Sequence, residues 1–219
     1  MESWWKLTDS MARRIVEYGA KDEVLEKAKK LCQKNFADEC PEWEEVKRLI
    51  EKYNRRREVL KKLIGEERTP KVRLIDGRIA DVKKGQVMEL FVHERTQKWV
   101  RSKVVEVFED ELGNKYYLTD YHLRHITQGK RWKKFVQVGI DSKAKLLSWI
   151  RKIIREPQVI VYDVRENAVY FGREKDNKIV ILSLAGIDTL RIMTAFPKEH
   201  IFENRQRLKV LFSEIERWK

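Results

Sequence analysis

The spacing of apolar residues changes twice along the chain and divides it into three stretches. Over residues 9–66, apolar side chains recur at helical spacing in two runs, with Arg and Glu on the opposite side of the second run. Pro41 stands near the start of the second run and Gly65 can end it. Two such runs in succession predict an antiparallel helical hairpin at residues 1–69.

The middle stretch has short runs rich in β-branched and aromatic residues. VRLIDGRIADV contains an Asp-Gly turn, QVMELFVHE and KWVRSKVVEVFED have strand composition, and GNKYYL follows a hairpin turn. These runs predict a small β meander or partial barrel, a β subdomain at residues 70–116.

The last stretch begins with helical patterns and continues with strands. In LTDYHLRHITQGKRWKKF, Thr119 or Asp120 can cap a short helix and Gly129 can stop it, and Pro157 closes a second helix in SKAKLLSWIRKIIREP. The runs QVIVYDV, NAVYFGRE, KIVILSLA and TLRIMTAF follow. The pattern predicts an α+β fold in which two helices pack on a four-stranded antiparallel sheet. A C-terminal helix is expected around HIFENRQRLKVLFSEIERW, with apolar positions Leu208, Leu211, Phe212 and Ile215.

Positive charge is concentrated in the last stretch. The chain has 219 residues and a net charge of +13, of which residues 1–70 carry +2, residues 71–120 carry +1 and residues 121–219 carry +10. Such asymmetry favours a polyanionic partner, and by charge alone RNA, DNA and an anionic membrane remain alternatives. The abundance of Lys, Arg and Glu is also typical of soluble proteins of thermophiles.

The apolar segments are too short for membrane insertion. No segment approaches about 20 apolar residues, and the start of the chain lacks the apolar core of a secretory signal. We therefore expect no membrane partner and a cytoplasmic protein, or one delivered or attached to a virion without a cleaved signal.

Familiar metal and phosphate motifs are absent from the sequence. There is no Gly-rich phosphate loop, GxSxG or HExxH, and Cys32 and Cys40 lack CxxC spacing and paired His, which leaves a disulfide open but indicates no zinc site. We expect no metal and no cofactor. Metal-free cleavage of RNA, in which the 2′-hydroxyl attacks the adjacent phosphate, needs only a proton acceptor, a proton donor and cations.

The basic stretch contains the residue types for that reaction. His125 follows His122 by three residues, so on a helix the two lie near one face. An imidazole can accept or donate a proton near neutral pH. Arg173 ends the NAVYFGR strand, where its guanidinium can hold phosphate oxygens, and Thr194 in RIMTAFP can present a hydroxyl on a sheet face. We therefore predict His125, Arg173 and Thr194 as catalytic residues. The predicted nucleic-acid contacts are His122, Lys130, Arg131, Lys133, Phe196 and Lys198.

Each assignment has a structural alternative. His122 is then an exposed helix residue, His125 satisfies core carbonyls, Arg173 is a solvated cation, and the TAF segment only completes a buried strand. His93, at a strand end, is expected to be merely exposed. Three tryptophans could anchor a partner of the hairpin, although plugging its open end is the favoured reading: Trp4, Trp5 and Trp43.

The order of these segments resembles a known nuclease superfamily. YYLTDYHLRHI, the helix ending in REP, and then VIVYDV, AVYFGR, IVILSL and RIMTAFP cover about 80 residues, from 117 to 198. They resemble the phage-associated branch of the barnase/EndoU/colicin/RelE-like (BECR fold) nucleases. The resemblance implies an RNase domain at residues 117–219 in which His125, Arg173 and Thr194 occupy active-site positions, with Phe196 and Lys198 beside them.

The chain departs from that pattern at two places. Many such domains carry a second His where this chain has Gly129, Lys130 and Arg131, and a Tyr where it has Phe196. The departures keep two functions open. One is a metal-independent endoribonuclease, such as a toxin or a phage-particle protein, and the alternative is a non-catalytic nucleic-acid-binding or virion structural protein that uses the same basic surface. The hairpin is the candidate site for an antitoxin, a delivery partner or self-association. A third alternative is a purely structural adaptor that assembles through the hairpin.

Overall fold

The computed structural model describes residues 26–27, 29–30, 33–34, 43–93, 98–176, 178–198 and 208–215. The chain divides into two compact units, Met1–Val59 and Leu60–Lys219. The predicted domain limits at 69/70 and 116/117 stay predictions.

Helix α1 spans Trp43–Leu63 and confirms the second helix predicted near the start of the chain. Acidic residues in its first turn and basic residues in its last turn are placed favourably for the helix dipole. The described residues between 26 and 34 are also helical. The rest of the first predicted helix lies outside the described residues, as do both cysteines, Trp4, Trp5 and the side chain of Trp43, so the hairpin stays a prediction.

Two small antiparallel sheets follow and confirm the predicted β character of the middle stretch. Strands β1 (Lys71–Arg73) and β2 (Ile79–Asp81) pair around a turn in which Gly77 has φ +82°. Strands β3 (Val87–His93), β4 (Lys98–Glu109) and β5 (Lys115–Thr119) form a meander. One side of this region is an apolar cluster of Val72, Val82, Met88, Leu90, Val104 and Tyr117.

Three helices come next, where two were predicted. They are α2 (Asp120–Ile126), α3 (Gly129–Gln137) and α4 (Lys143–Arg155). Of the two cap residues that the sequence allows, Thr119 caps α2, because its side chain accepts a hydrogen bond from the His122 backbone N–H. Helix α3 is hard to predict because Phe135 is its one buried residue. In the described part of the chain, no helix has both the length and the apolar character that crossing a membrane requires.

Within the part of the chain that the structure describes, the largest sheet has five strands rather than the predicted four. Strands β6 (Val159–Asp163), β7 (Ala168–Lys175), β8 (Lys178–Leu184) and β9 (Ile192–Lys198) match the four predicted runs. The fifth strand, β10 (Leu208–Ser213), pairs with β6, and the order is β10-β6-β7-β8-β9 with every pair antiparallel.

The predicted C-terminal helix is therefore wrong over residues 208–213. Leu208, Leu211, Phe212 and Ile215 have helical spacing, but the segment KVLF also has strand composition. As a strand it satisfies the backbone groups at the free edge of β6, which a helix would leave unpaired. Pairing between distant segments outweighs the local periodicity here.

Strand register decides which side chains share a face of the sheet. Tyr170, Ser183 and Thr194 are directly opposite one another on β7, β8 and β9, so they lie on one face. Phe171, which follows Tyr170, is on the other face, where its ring packs at 5.9 Å from that of Tyr116. Helix α2 packs against β4, β5 and β9, which brings it beside the face that carries Thr194.

Candidate nucleic-acid cleft

A cleft of about 850 Å³ opens between α2, the start of α3 and the Thr194 face of the sheet. Two imidazoles, two guanidinium groups and several hydroxyls line it, and Glu166, an exposed residue, is the one carboxylate among its described lining residues. The polar lining residues used below are Tyr121, His122, His125, Arg131, Tyr170, Ser183, Arg191 and Thr194.

The structure reverses the expected exposure of the two histidines. His122 is buried, with 3% of its surface exposed, whereas His125 is exposed on α2. His122 points inward because it follows the cap residue Thr119 in the first turn, and its Nδ1 lies 2.9 Å from the Thr119 hydroxyl. Ile126, four residues later, is buried on the same side of the helix. His125 is therefore the histidine that a ligand can reach.

Burial keeps His122 neutral. Loss of solvent, together with the positive charges of Arg191 and His125, lowers the pKa of His122 from 6.5 to about 3, although Asp120 acts in the opposite direction. Its ring also packs edge-on to that of Tyr121 at 5.2 Å. His122 is therefore an uncharged part of the cleft wall at neutral pH, and its predicted contact with nucleic acid stays a prediction.

His125 is also biased towards its neutral form. Partial burial and the nearby Arg131 guanidinium lower the pKa of His125. Tyr121 precedes it by four residues on α2, so the two side chains are neighbours on one helix face, and both line the cleft. A neutral imidazole beside a phenol provides a proton acceptor and a proton donor within one turn of helix.

Arg131 and Thr194 meet across the cleft. Nη1 of Arg131 donates a hydrogen bond to Oγ1 of Thr194 at 3.1 Å. Strand β9 carries a bulge here, because Thr194 pairs with Ser183 while Ile192 pairs with Leu184, which leaves Met193 as an extra residue. Met193 and Thr194 consequently both line the cleft, which regular alternation of a strand would prevent.

Arg191 supplies a second guanidinium at the end of the loop before β9. Its backbone is held because its carbonyl accepts from the Ala185 N–H at 2.8 Å, and it forms a parallel bridge with Tyr117. Burial raises the pKa of Tyr117, while the hydrogen bond from Arg191 to that phenol acts in the opposite direction. Nε of Arg191 is buried and has no hydrogen-bond partner among the described residues. This guanidinium is fixed in place and retains unused donor capacity.

Arg173 is not beside His125 and Thr194. It is three residues from Tyr170 on β7, which puts it on the other face of the sheet and about 10 Å further along the strand. Its Nη1 donates to the Glu156 carbonyl at 2.6 Å and lies 3.5 Å from the Glu156 carboxylate. Arg173 therefore contacts the C-terminal cap of α4, and only two of the three predicted catalytic residues line the cleft.

The remaining predicted contacts lie away from the cleft lining. Phe196 is half-buried and packs against an apolar cluster of Ile179, Ile181 and Ile215, and its predicted contact with a base stays a prediction. Lys198 is exposed at the end of β9. Lys130 and Lys133 are exposed on α3, on either side of Arg131, and the side chain of His93 lies outside the described residues.

A smaller hollow of about 240 Å³ adjoins the cleft. It is lined by Tyr121, Arg124, His125 and Gln128. Since Tyr121 and His125 line both cavities, the two spaces meet at this pair.

Of the eight polar lining residues named above, four were not predicted from the sequence: Tyr121, Tyr170, Ser183 and Arg191. Tyr170 and Ser183 are polar positions in the otherwise apolar runs AVYFG and IVILSL. Side chains alternate between the two faces of a strand, and counting alternate positions from the turn before each run puts Tyr170 and Ser183 on one face. The sequence pattern could therefore have predicted their position. Arg191 begins the RIMTAFP segment, but its direction depends on the bulge, which has no sequence signal.

No family model, curated protein or solved structure matches this chain. Across the described ranges, no three His, Cys, Asp or Glu side chains gather as a metal-binding group would.

Proposed function

We propose that this protein is a metal-independent endoribonuclease whose active site is the cleft between α2, α3 and the five-stranded sheet. The observation that carries the proposal is the convergence of His125, Arg131 and Thr194 on one cleft with a second guanidinium, that of Arg191. A phosphodiester is the ligand that two guanidinium groups and a hydroxyl hold best.

The reaction follows from the positions of these groups. The 2′-hydroxyl of RNA loses its proton to the neutral His125 imidazole and attacks the adjacent phosphorus, so the O2′–P bond forms and the P–O5′ bond breaks. The leaving 5′-oxygen takes a proton from Tyr121, and the products are a 2′,3′-cyclic phosphate and a 5′-hydroxyl end. His125 then returns the proton to the phenolate through solvent.

Arg131 and Arg191 stabilise the dianionic transition state. Guanidinium groups that are already held in place need little reorganisation when negative charge develops on the phosphate. Arg131 is held by Thr194, and the Arg191 backbone is held by Ala185 and Tyr117. This assignment replaces Arg173, whose guanidinium is engaged by Glu156.

The order of elements supports the resemblance to BECR-fold nucleases. Helices α2 and α4 precede the β6–β9 meander, as that resemblance implies. Tyr121 takes the role for which such domains use a Tyr at the position of Phe196. RNA is the proposed partner, and binding of a protein partner by the predicted hairpin is a further part of the proposal.

The test is incubation of the purified full chain with a labelled RNA in EDTA and in Mg²⁺. We expect cleavage in both, 2′,3′-cyclic phosphate ends, and no cleavage where the scissile nucleotide is 2′-deoxy. His125→Asn is expected to slow cleavage about 100- to 10,000-fold. Tyr121→Phe should slow cleavage without loss of binding. Arg131→Gln should cost about 100-fold or more, with Arg155→Gln, an exposed arginine outside the cleft lining, as the matched control.

Two results would overturn the proposal. Binding of RNA by the wild-type protein without any cleavage would favour the alternative of a non-catalytic nucleic-acid-binding or virion protein. Cleavage that persists in both His125→Asn and Arg131→Gln would show that the reaction takes place elsewhere.

A further inference from the structure

The outer face of the β3-β4 hairpin differs in chemistry from its inner face. The inner face contributes Met88, Leu90 and Val104 to an apolar cluster. On the outer face, three cross-strand pairs follow one another: Phe91 with Trp99, Glu89 with Arg101, and Val87 with Lys103. This outer face therefore combines aromatic rings with cations, although the whole of residues 71–120 is almost neutral.

Trp99 is the prominent residue of this face. It is 51% exposed. This exposure is high for a tryptophan, since the burial of such a large apolar side chain is normally strongly favourable. Its ring lies 5.1 Å from that of Phe91, and the Arg73 guanidinium lies 5.7 Å from its centroid. Phe91 and Arg73 therefore flank the Trp99 indole and leave the residue about half exposed.

The cations on this face are aligned along one strand. Arg101 and Lys103 follow Trp99 at every second position of β4, so successive side chains stand about 7 Å apart on the same side. Arg73 adds a third cation and forms an ion pair with Glu89 at 3.0 Å. Neither Arg101 nor Lys103 has an ion-pair partner among the described residues, so their charge is available to a ligand.

Phe91 connects this face to the cleft. It belongs to the outer face through its pairing with Trp99, and it also lines the cleft that holds His125 and Thr194. An extended ligand that is bound along the outer face and continues past Phe91 therefore reaches the cleft along the protein surface.

We propose that the outer face of β3 and β4, formed by Phe91, Trp99, Arg101 and Lys103, binds single-stranded RNA next to the cleft. Aromatic rings that stack on bases beside cations that track the phosphates are the common device of single-strand-binding surfaces. A duplex cannot offer its bases to Trp99, because they are stacked inside the helix. The inference deepens the proposed function by naming single-stranded RNA as its substrate.

Binding is measured by anisotropy of a labelled single-stranded oligoribonucleotide of about ten nucleotides, made uncleavable by 2′-O-methylation. Trp99→Ala is expected to weaken binding roughly 5- to 100-fold, in proportion to the loss of one stacked base. Trp99→Phe keeps an aromatic ring and should remain within about threefold of wild type. Arg101→Ala should weaken binding and reduce its salt dependence, whereas Arg155→Ala should do neither.

A dinucleotide substrate separates this inference from the proposed function, because Trp99 is not among the residues that line the cleft. Trp99→Ala should lower turnover of a longer single-stranded RNA more than turnover of the dinucleotide. If Trp99→Ala binds the oligonucleotide as wild type does, or if a duplex binds as tightly as the single strand, the inference is wrong even where cleavage is observed. If Trp99→Ala weakens binding but His125→Asn leaves cleavage unaffected, the inference stands and the proposed active site fails.

Discussion

Arg131 and Thr194 are 63 residues apart in sequence and joined by a hydrogen bond of 3.1 Å between the guanidinium and the hydroxyl. The bond links α3 to β9 beside the bulge at Met193. It fixes the direction of a charged donor that faces the proposed phosphate position.

Replacing Thr194 by Val tests this role. The substitution retains side-chain volume and removes the acceptor, so Arg131 loses its orientation while its charge remains. We expect kcat to fall about 10- to 100-fold with a smaller change in KM, since the loss is greatest in the transition state. Steady-state kinetics on a dinucleotide measures this, with Thr69→Val outside the cleft as the control. An unchanged kcat would show that the bond is only structural.

The pH dependence of cleavage tests the role of His125. The lowered pKa of His125 keeps the imidazole neutral, so the basic form survives to a lower pH than that of an ordinary histidine. We expect the acidic limb of kcat/KM below pH 6.5. Arg131→Gln removes a positive charge and should move that limb to higher pH. A limb at the same pH in both proteins would contradict the assignment.

His122 should make folding stability depend on pH. The unfolded chain binds a proton at His122 near pH 6.5, whereas the folded chain does so only near pH 3. Between these values the unfolded state holds more protons, so the free energy of unfolding falls as the pH is lowered, by up to about 1.4 kcal/mol per pH unit. Urea denaturation at several pH values measures this. In His122→Asn, which keeps a polar group near Nδ1, the slope should be smaller; equal slopes would contradict the prediction.

Arg173 should matter for stability rather than for cleavage. Its side chain is 19% exposed, and its guanidinium donates to the carbonyl of Glu156 at the end of α4. Arg173→Ala is expected to lower the free energy of unfolding by about 1.5–3 kcal/mol, the range for hydrogen bonds of charged groups. Cleavage of a dinucleotide by the folded variant should be unchanged. A folded Arg173→Ala protein with a large loss of kcat would restore Arg173 to the catalytic set.

Local signals were sufficient to predict α1, the Thr119 cap and the strands β6–β9. Each depends on residues close together in sequence, such as the helical period, a cap hydroxyl or turn residues that bound an apolar run. The strand β10 was predicted as a helix because Leu208, Leu211 and Phe212 also satisfy a helical period. Only its pairing with β6, about 50 residues earlier, decides between the two.

The site was predicted less completely than the fold, for a geometric reason. His125 and Thr194 are cleft residues, as expected. Which of His122 and His125 is buried depends on where α2 begins, because a shift of one residue in a helix rotates each side chain by about 100°. The alternation of side chains along β7 puts Arg173 on the face of the sheet opposite to Thr194, away from the cleft. Arg131 supplies the guanidinium beside Thr194 that the sequence assigns to Arg173. It lies on α3, a helix that the sequence pattern does not predict.

The edge position of β10 has a consequence for the order of folding. Strands β6–β9 are joined by short connections and can assemble as successive hairpins while the chain is still being made, but β10 must return past three strands to reach β6. Until it does, an intermediate sheet leaves the amide and carbonyl groups along one edge of β6 unpaired, and such an edge can pair with other chains. Slow docking of the final strand would make the yield of native protein depend on concentration, with aggregation as the competing outcome.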